Sequence, residues 1–120
     1  MQSQRKEIIF SRKNNYMIKL SVFYPNEERK KFDKEYYLAT HMPLSVRLQG
    51  DAVKHTEVEF GFSGGTPGSR PPFIAVCHFL YDSFEAFQAA FIPHAETLMK
   101  DISNYTDIQT VIQFSEVQNF

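Results

Sequence analysis

The sequence predicts an α+β domain of the ferredoxin-like type, β-α-β-β-α-β, built on a four-stranded antiparallel sheet. Apolar residues alternate with period two in four segments and recur with helical period in two others, in that order. The third strand segment, Phe73 to Tyr81, is apolar on both sides: Phe73, Ala75, Cys77 and Phe79 face one way, Ile74, Val76 and Leu80 the other. Two helices cover only one face of such a sheet. The other face then needs a cover of its own, and a second copy of the same sheet supplies it. The expected assembly is a homodimer, its two sheets facing each other as a barrel. With 120 residues the chain has room for one such core and not for two.

The chain divides at residue 16. Met1 to Tyr16 carry four Lys/Arg and one Glu and show no strand or helix period; they read as an N-terminal extension, either a frayed arm or an arm that pairs with a partner subunit. Residues 17–120 form the domain. Met17 to Tyr24 alternates as a strand, with Ile18, Leu20, Val22 and Tyr24 on one side, and Pro25-Asn26 ends it. Asp33 is a helix N-cap with Phe32 as its apolar staple. The helix runs to about Gln49, with Tyr37, His41, Leu44 and Leu48 sharing a face and Gly50 closing it. Pro43 lacks a backbone donor, so a loosened turn is expected near His41. Tyr36 points away from Tyr37, as a packing residue.

Val53 to Phe62 is the second strand. Residues 63–72, rich in Gly, Ser and Pro, form a long turn or a lid; the segment lacks the Gly-Lys-Ser/Thr ending of a phosphate loop. After the third strand, Asp82-Ser83-Phe84-Glu85 opens the second helix as a capping box. Phe84, Phe87, Phe91, Ala95, Leu98 and Ile102 make its buried stripe, kinked at Pro93. Asp107 to Val117 is the last strand.

Composition excludes several functions. The net charge of −1 gives nucleic acid and membrane surfaces nothing to bind. No apolar run reaches transmembrane length, and Ile8-Ile9-Phe10 is too short for a signal-peptide core. The single cysteine, Cys77, excludes an intramolecular disulfide and suits a reducing compartment, so a soluble cytoplasmic protein is expected. It sits in an apolar strand as an inert thiol. No two histidines stand at metal-binding spacing, and no dinucleotide, P-loop, flavin or haem signature occurs, so neither metal nor cofactor is expected.

Tyr37 and His41 are the sharpest site candidates. A phenol and an imidazole one turn apart on a buried face suit proton transfer on an apolar ligand. His41 would accept the proton and Tyr37 would donate a hydrogen bond to the resulting enolate or phenolate. The structural alternative is a buried pair satisfied by backbone groups near Pro43. Phe87 and Phe91 are expected to line the substrate space, with His94 and Asp101 at a polar mouth; Asp101 alternatively ties down the turn near Asn104 and Thr106. Gln113 and Ser115 line either the pocket or the dimer interface, while His55 and His78 are strand spacers.

These residues resemble a known family. Phe32-Asp33 through Tyr36-Tyr37 to His41-Met42-Pro43-Leu44 is similar to the signature of the ethyl tert-butyl ether degradation (EthD) family. So are Met17-Ile18-Lys19-Leu20-Ser21, Phe84-Glu85-Ala86-Phe87, residues 101–107 and Gln113-Phe114-Ser115-Glu116-Val117, so that the resemblance spans Met17 to about Val117. It implies the dimeric α+β barrel that the burial pattern requires independently. Related barrels include cofactor-free mono-oxygenases, cyclases and dehydratases acting on aromatic or lactone-like substrates. The functional expectation is a small cofactor-independent enzyme, mono-oxygenase-like or cyclase/dehydratase-like, acting on an apolar cyclic or aromatic molecule. The rival is a non-catalytic dimer that binds a hydrophobic metabolite or serves a partner oxygenase.

Overall fold

A computed structural model describes residues 16–120. The expected N-terminal extension lies, apart from Tyr16, outside the described residues. The strands are β1 (Ile18–Pro25), β2 (His55–Phe60), β3 (Phe73–Tyr81) and β4 (Val111–Glu116). They form one antiparallel sheet in the order β2-β3-β1-β4, the ferredoxin-like arrangement. Register puts Leu20 beside both Phe79 and Phe114, and Val22 beside both Cys77 and Ile112. Because side chains alternate along a strand, these residues share one face with Tyr24 and Ala75. That face packs under the helices as the core, with Tyr37, Met42, Phe87 and Tyr105 above it. Ser21, His78 and Gln113 lie on the opposite face with Phe23, Val76 and Leu80. No helix among the described residues is long and apolar enough to cross a membrane.

The first helix, α1 (34–49), is not uniform. A short α-turn (Lys34–Tyr36), capped by the Asp33 carboxylate on the Tyr36 N–H, passes into a π-turn (Tyr37–His41) and then a regular α-helix (Met42–Gln49). In the π-turn the Met42 N–H donates to the Tyr37 carbonyl, five residues back. The widened turn directly precedes Pro43, whose ring would crowd the turn before it and whose missing N–H would leave a carbonyl unpaired. The sequence placed the irregularity correctly but not its effect. The π-turn inserts one residue into the helical count, so the buried face after His41 passes to Met42, Ser45 and Gln49. Leu44 and Leu48, expected there, are only half-buried. Gly50 ends the helix at φ +64°, a conformation that costs other residues a Cβ clash.

The second helix, α2 (84–104), opens with the Ser83 hydroxyl accepting from the Ala86 N–H. It breaks into 3₁₀ geometry at Ile92–His94, around Pro93 as expected, and continues from Ala95 through a final 3₁₀ turn to Asn104. β2 and β4 are shorter than their apolar patterns. Asp107 to Thr110 are instead a connection anchored by Thr106, whose hydroxyl donates to the Lys31 carbonyl and accepts from the Ile108 N–H. In the 63–72 segment Gly64 and Ser69 pair through the backbone, and Arg70 donates to the Asn26 carbonyl. It is a tethered turn, and none of its residues reaches the cavity described below.

Candidate active site

Between the helices and the sheet lies a cavity of about 430 Å³, within the usual range of small-molecule sites. Its floor is Leu20, Val22, Phe79 and Phe114, and α2 contributes Phe87, Phe91, Leu98 and Met99. Ile92, Met99 and Ile112 are exposed as well as cavity-lining, so the mouth opens between α2 and β4. The α1 wall differs in kind. Tyr37, His41, Ser45 and Gln49, each four residues apart, line it and are 0, 8, 5 and 6 % exposed. A buried polar stripe thus faces a mostly apolar space.

His41 is held from behind. Its Nδ1 lies 2.9 Å from Asp101 Oδ2. Asp101 Oδ1 accepts the Tyr36 hydroxyl proton at 2.6 Å and an Asn104 amide proton at 2.9 Å. Burial raises the Asp101 carboxyl, but the hydrogen bonds from Tyr36, Asn104 and His41 outweigh it and hold it below its ordinary value. A carboxylate only accepts, so the proton of a neutral His41 resides on Nδ1. Nε2 keeps its lone pair and has no partner among the described residues. The ring is further fixed by Tyr105, 4.6 Å between centroids, and by Tyr37, stacked at 5.8 Å.

Tyr37 is fully enclosed, and its hydroxyl has no hydrogen-bond partner among the described residues. Burial drives its pKa far upward, with Cys77 and Tyr24 adding to the effect, so it stays a protonated donor at any working pH. Tyr24 and Tyr105 bond each other at 2.8 Å. Cys77 is buried on the cavity floor and burial pushes its thiol up to about 12, so it is no nucleophile at neutral pH.

Of the residues singled out from sequence, Tyr37, His41, Phe87 and Phe91 meet on this one cavity. Asp101 does not line it; it stands behind His41 and also binds Asn104, so it ties down the turn and orients the imidazole together. The expectation that His94 and Gln113 border the substrate space is corrected. The 3₁₀ turn at Pro93 rotates His94 off the inward stripe, and Gln113 alternates onto the far sheet face, where its amide donates to Ser115. Tyr36 is likewise not mere packing but a ligand of Asp101. The Ser45–Gln49 pair and Tyr105 were missed. The +4 and +8 spacing from His41 would have found the first two; nothing local links Tyr105 to Tyr24, 81 residues away. No group of three or more potential metal ligands occurs among the described residues.

Fold and site together define a ferredoxin-like α+β protein with an aromatic-lined cavity and a histidine–carboxylate pair on its wall. The EthD domain pattern matches residues 25–109, and the chain belongs to the EthD family. An EthD-like protein from Ralstonia eutropha JMP134 is 43% identical, with a TM-score of 0.81 over 85% of this chain and 92% of that one. An EthD family protein from Bacillus halodurans C-125 is 24% identical, with a TM-score of 0.66 over 85% of this chain and 99% of that one. A protein of unknown function from Bacteroides fragilis NCTC 9343, described as dimeric with a ferredoxin-like fold, is 13% identical at a TM-score of 0.52, over 84% and 96% of the two chains. No curated protein matches.

Proposed function

We propose that this EthD family protein is a cofactor-independent enzyme that removes a proton from an apolar cyclic or aromatic substrate. One observation carries the reading: His41 lines an apolar cavity with its Nε2 unpartnered among the described residues, while Asp101 holds its other nitrogen. An imidazole beside an apolar space, with a carboxylate to steady the imidazolium once formed, is the equipment of general base catalysis. Deprotonation at carbon or at a phenol starts either cofactor-free oxygenation or cyclisation and dehydration, so both chemistries fit the same wall. Phe87 and Phe91 would stack on the ring, while Tyr37, whose hydroxyl is enclosed, would pack against the imidazole instead of reaching the developing oxyanion.

The far sheet face supports a homodimer. Phe23, Ile74, Val76 and Leu80 lie there with no described helix over them. A second copy placed face to face would cover them. A cytoplasmic setting suits the free, buried thiol of Cys77. The rival reading is a binding or accessory protein that uses the same cavity without turnover.

Hydrogen–deuterium exchange separates the two without knowledge of the natural substrate. Benzo-fused cyclic ketones such as 2-tetralone carry an acidic C–H beside a carbonyl. In D₂O the wild-type protein should accelerate their exchange saturably, and His41→Gln should abolish the acceleration while retaining the melting temperature. Binding without accelerated exchange across the panel would favour the accessory role.

A further inference from the structure

The α1 wall holds a second polar group that the proton-transfer reading does not use. Tyr81 donates its hydroxyl proton to Gln49 Oε1 at 2.5 Å, and Gln49 Nε2 donates to Ser45 Oγ at 3.1 Å. The direction of this chain is fixed by its closed end. Tyr81 is fully buried and does not line the cavity, and burial raises its pKa, so its proton must go to Gln49. The amide then has to face Ser45 with its nitrogen. Ser45 Oγ is thereby an acceptor, and its own proton is left over. That proton has no acceptor among the described residues, not even the backbone carbonyl a turn back, while Ser45 is 5 % exposed and lines the cavity. A buried hydroxyl proton with no acceptor is costly, and the side of Ser45 that remains is the cavity.

From this we infer that the ligand carries an acceptor oxygen, such as a ketone, ester or carboxylate, bound by the Ser45 hydroxyl about one helical turn from His41. The inference rests on the cavity being the substrate site and narrows its ligand. Ser45 follows His41 by four residues on one helix, a rise of about 6 Å. The molecule is therefore not a hydrocarbon or a halide but a ring compound that carries an oxygen function within reach of the same helix face as His41. With Nδ1 bonded to Asp101, a neutral His41 offers the ligand only a lone pair. The Tyr37 hydroxyl is enclosed, which leaves Thr110 and the Tyr24–Tyr105 pair as the other hydroxyls on the wall.

The test compares 2-acetylnaphthalene with 2-isopropenylnaphthalene, near-isosteres that differ in the acceptor oxygen, by calorimetric titration of wild type and Ser45→Ala. Wild type should prefer the ketone by about three- to tenfold, the size of one net hydrogen bond. Ser45→Ala should remove the preference without weakening the alkene. The carbonyl stretch of the bound ketone gives a second readout on the wild-type protein, independent of whether the variant folds. It should fall below its value in an alkane solvent. Equal binding of the two compounds with an unshifted carbonyl overturns the Ser45 assignment but leaves the cavity as the site. A ketone preference that survives Ser45→Ala overturns it in favour of another hydroxyl. Binding of neither compound overturns the cavity reading and this inference with it.

Discussion

Asp101→Asn separates the orienting role of this carboxylate from its structural one. Asp101 accepts three hydrogen bonds, from Tyr36, His41 and Asn104, at 2.6, 2.9 and 2.9 Å. The asparagine keeps the shape and one acceptor oxygen but loses the charge. Charge-assisted bonds are roughly twice as strong as neutral ones, and Tyr36 and Asn104 are exposed enough to regain water. The expected loss of stability is therefore modest, on the order of 1–2 kcal/mol in urea unfolding. The chemical effect should be larger. With its oxygen kept by Tyr36, the amide nitrogen faces His41 Nδ1 as a donor, and the imidazole proton must move to Nε2. The base would then present a proton to the cavity where it should present a lone pair, and exchange or turnover should fall by about 10²–10⁴. Nitrogen-15 NMR of the imidazole reads the tautomer directly: Nδ1–H in wild type, Nε2–H in the variant. A wild-type Nε2–H tautomer, or a variant that keeps Nδ1–H, would refute the orientation argument.

Three further outcomes follow from the same contacts. Ser83→Ala removes the cap from the Ala86 N–H and should cost about 1 kcal/mol by denaturant titration, with the cavity unchanged. Asp101 is held below its ordinary value in the folded state, so the stability it contributes is present above the unfolded carboxylate pKa and is lost as pH falls through the lower folded value. Acid unfolding curves of wild type and Asp101→Asn should accordingly converge below about pH 4 and separate above it. Val76→Lys places a charge in the middle of the far sheet face and should shift sedimentation from two copies to one, with the fold retained.

The strand order, the helix starts to within a residue, both proline irregularities and the Phe87–Phe91 part of the inward stripe were legible because each is written in local periodicity or in a single residue's backbone chemistry. Phe84, expected in that stripe, is 41 % exposed, and the second helix is capped by Ser83 and not by an Asp82–Glu85 box. What was not legible depends on tertiary distance or on a shift of phase. The π-turn moved the buried face from Leu44 and Leu48 to Ser45 and Gln49, a change of one residue that no fixed helical period anticipates. Asp101 meets His41 across 60 residues because the last turn of α2 passes behind α1. From sequence its carboxylate had only Asn104 nearby. Gln113 was ambiguous for another reason: in a strand with polar and apolar residues on both sides, alternation alone does not say which face carries the helices.

The most direct measurement is a crystal structure of the protein with a bound ring ketone such as 2-tetralone. The site described here predicts the ring between Phe87 and Phe91 and the floor of the sheet, with its acidic carbon about 3–3.5 Å from His41 Nε2. A ligand seated elsewhere, or in the cavity with its reactive carbon turned away from His41, would contradict it.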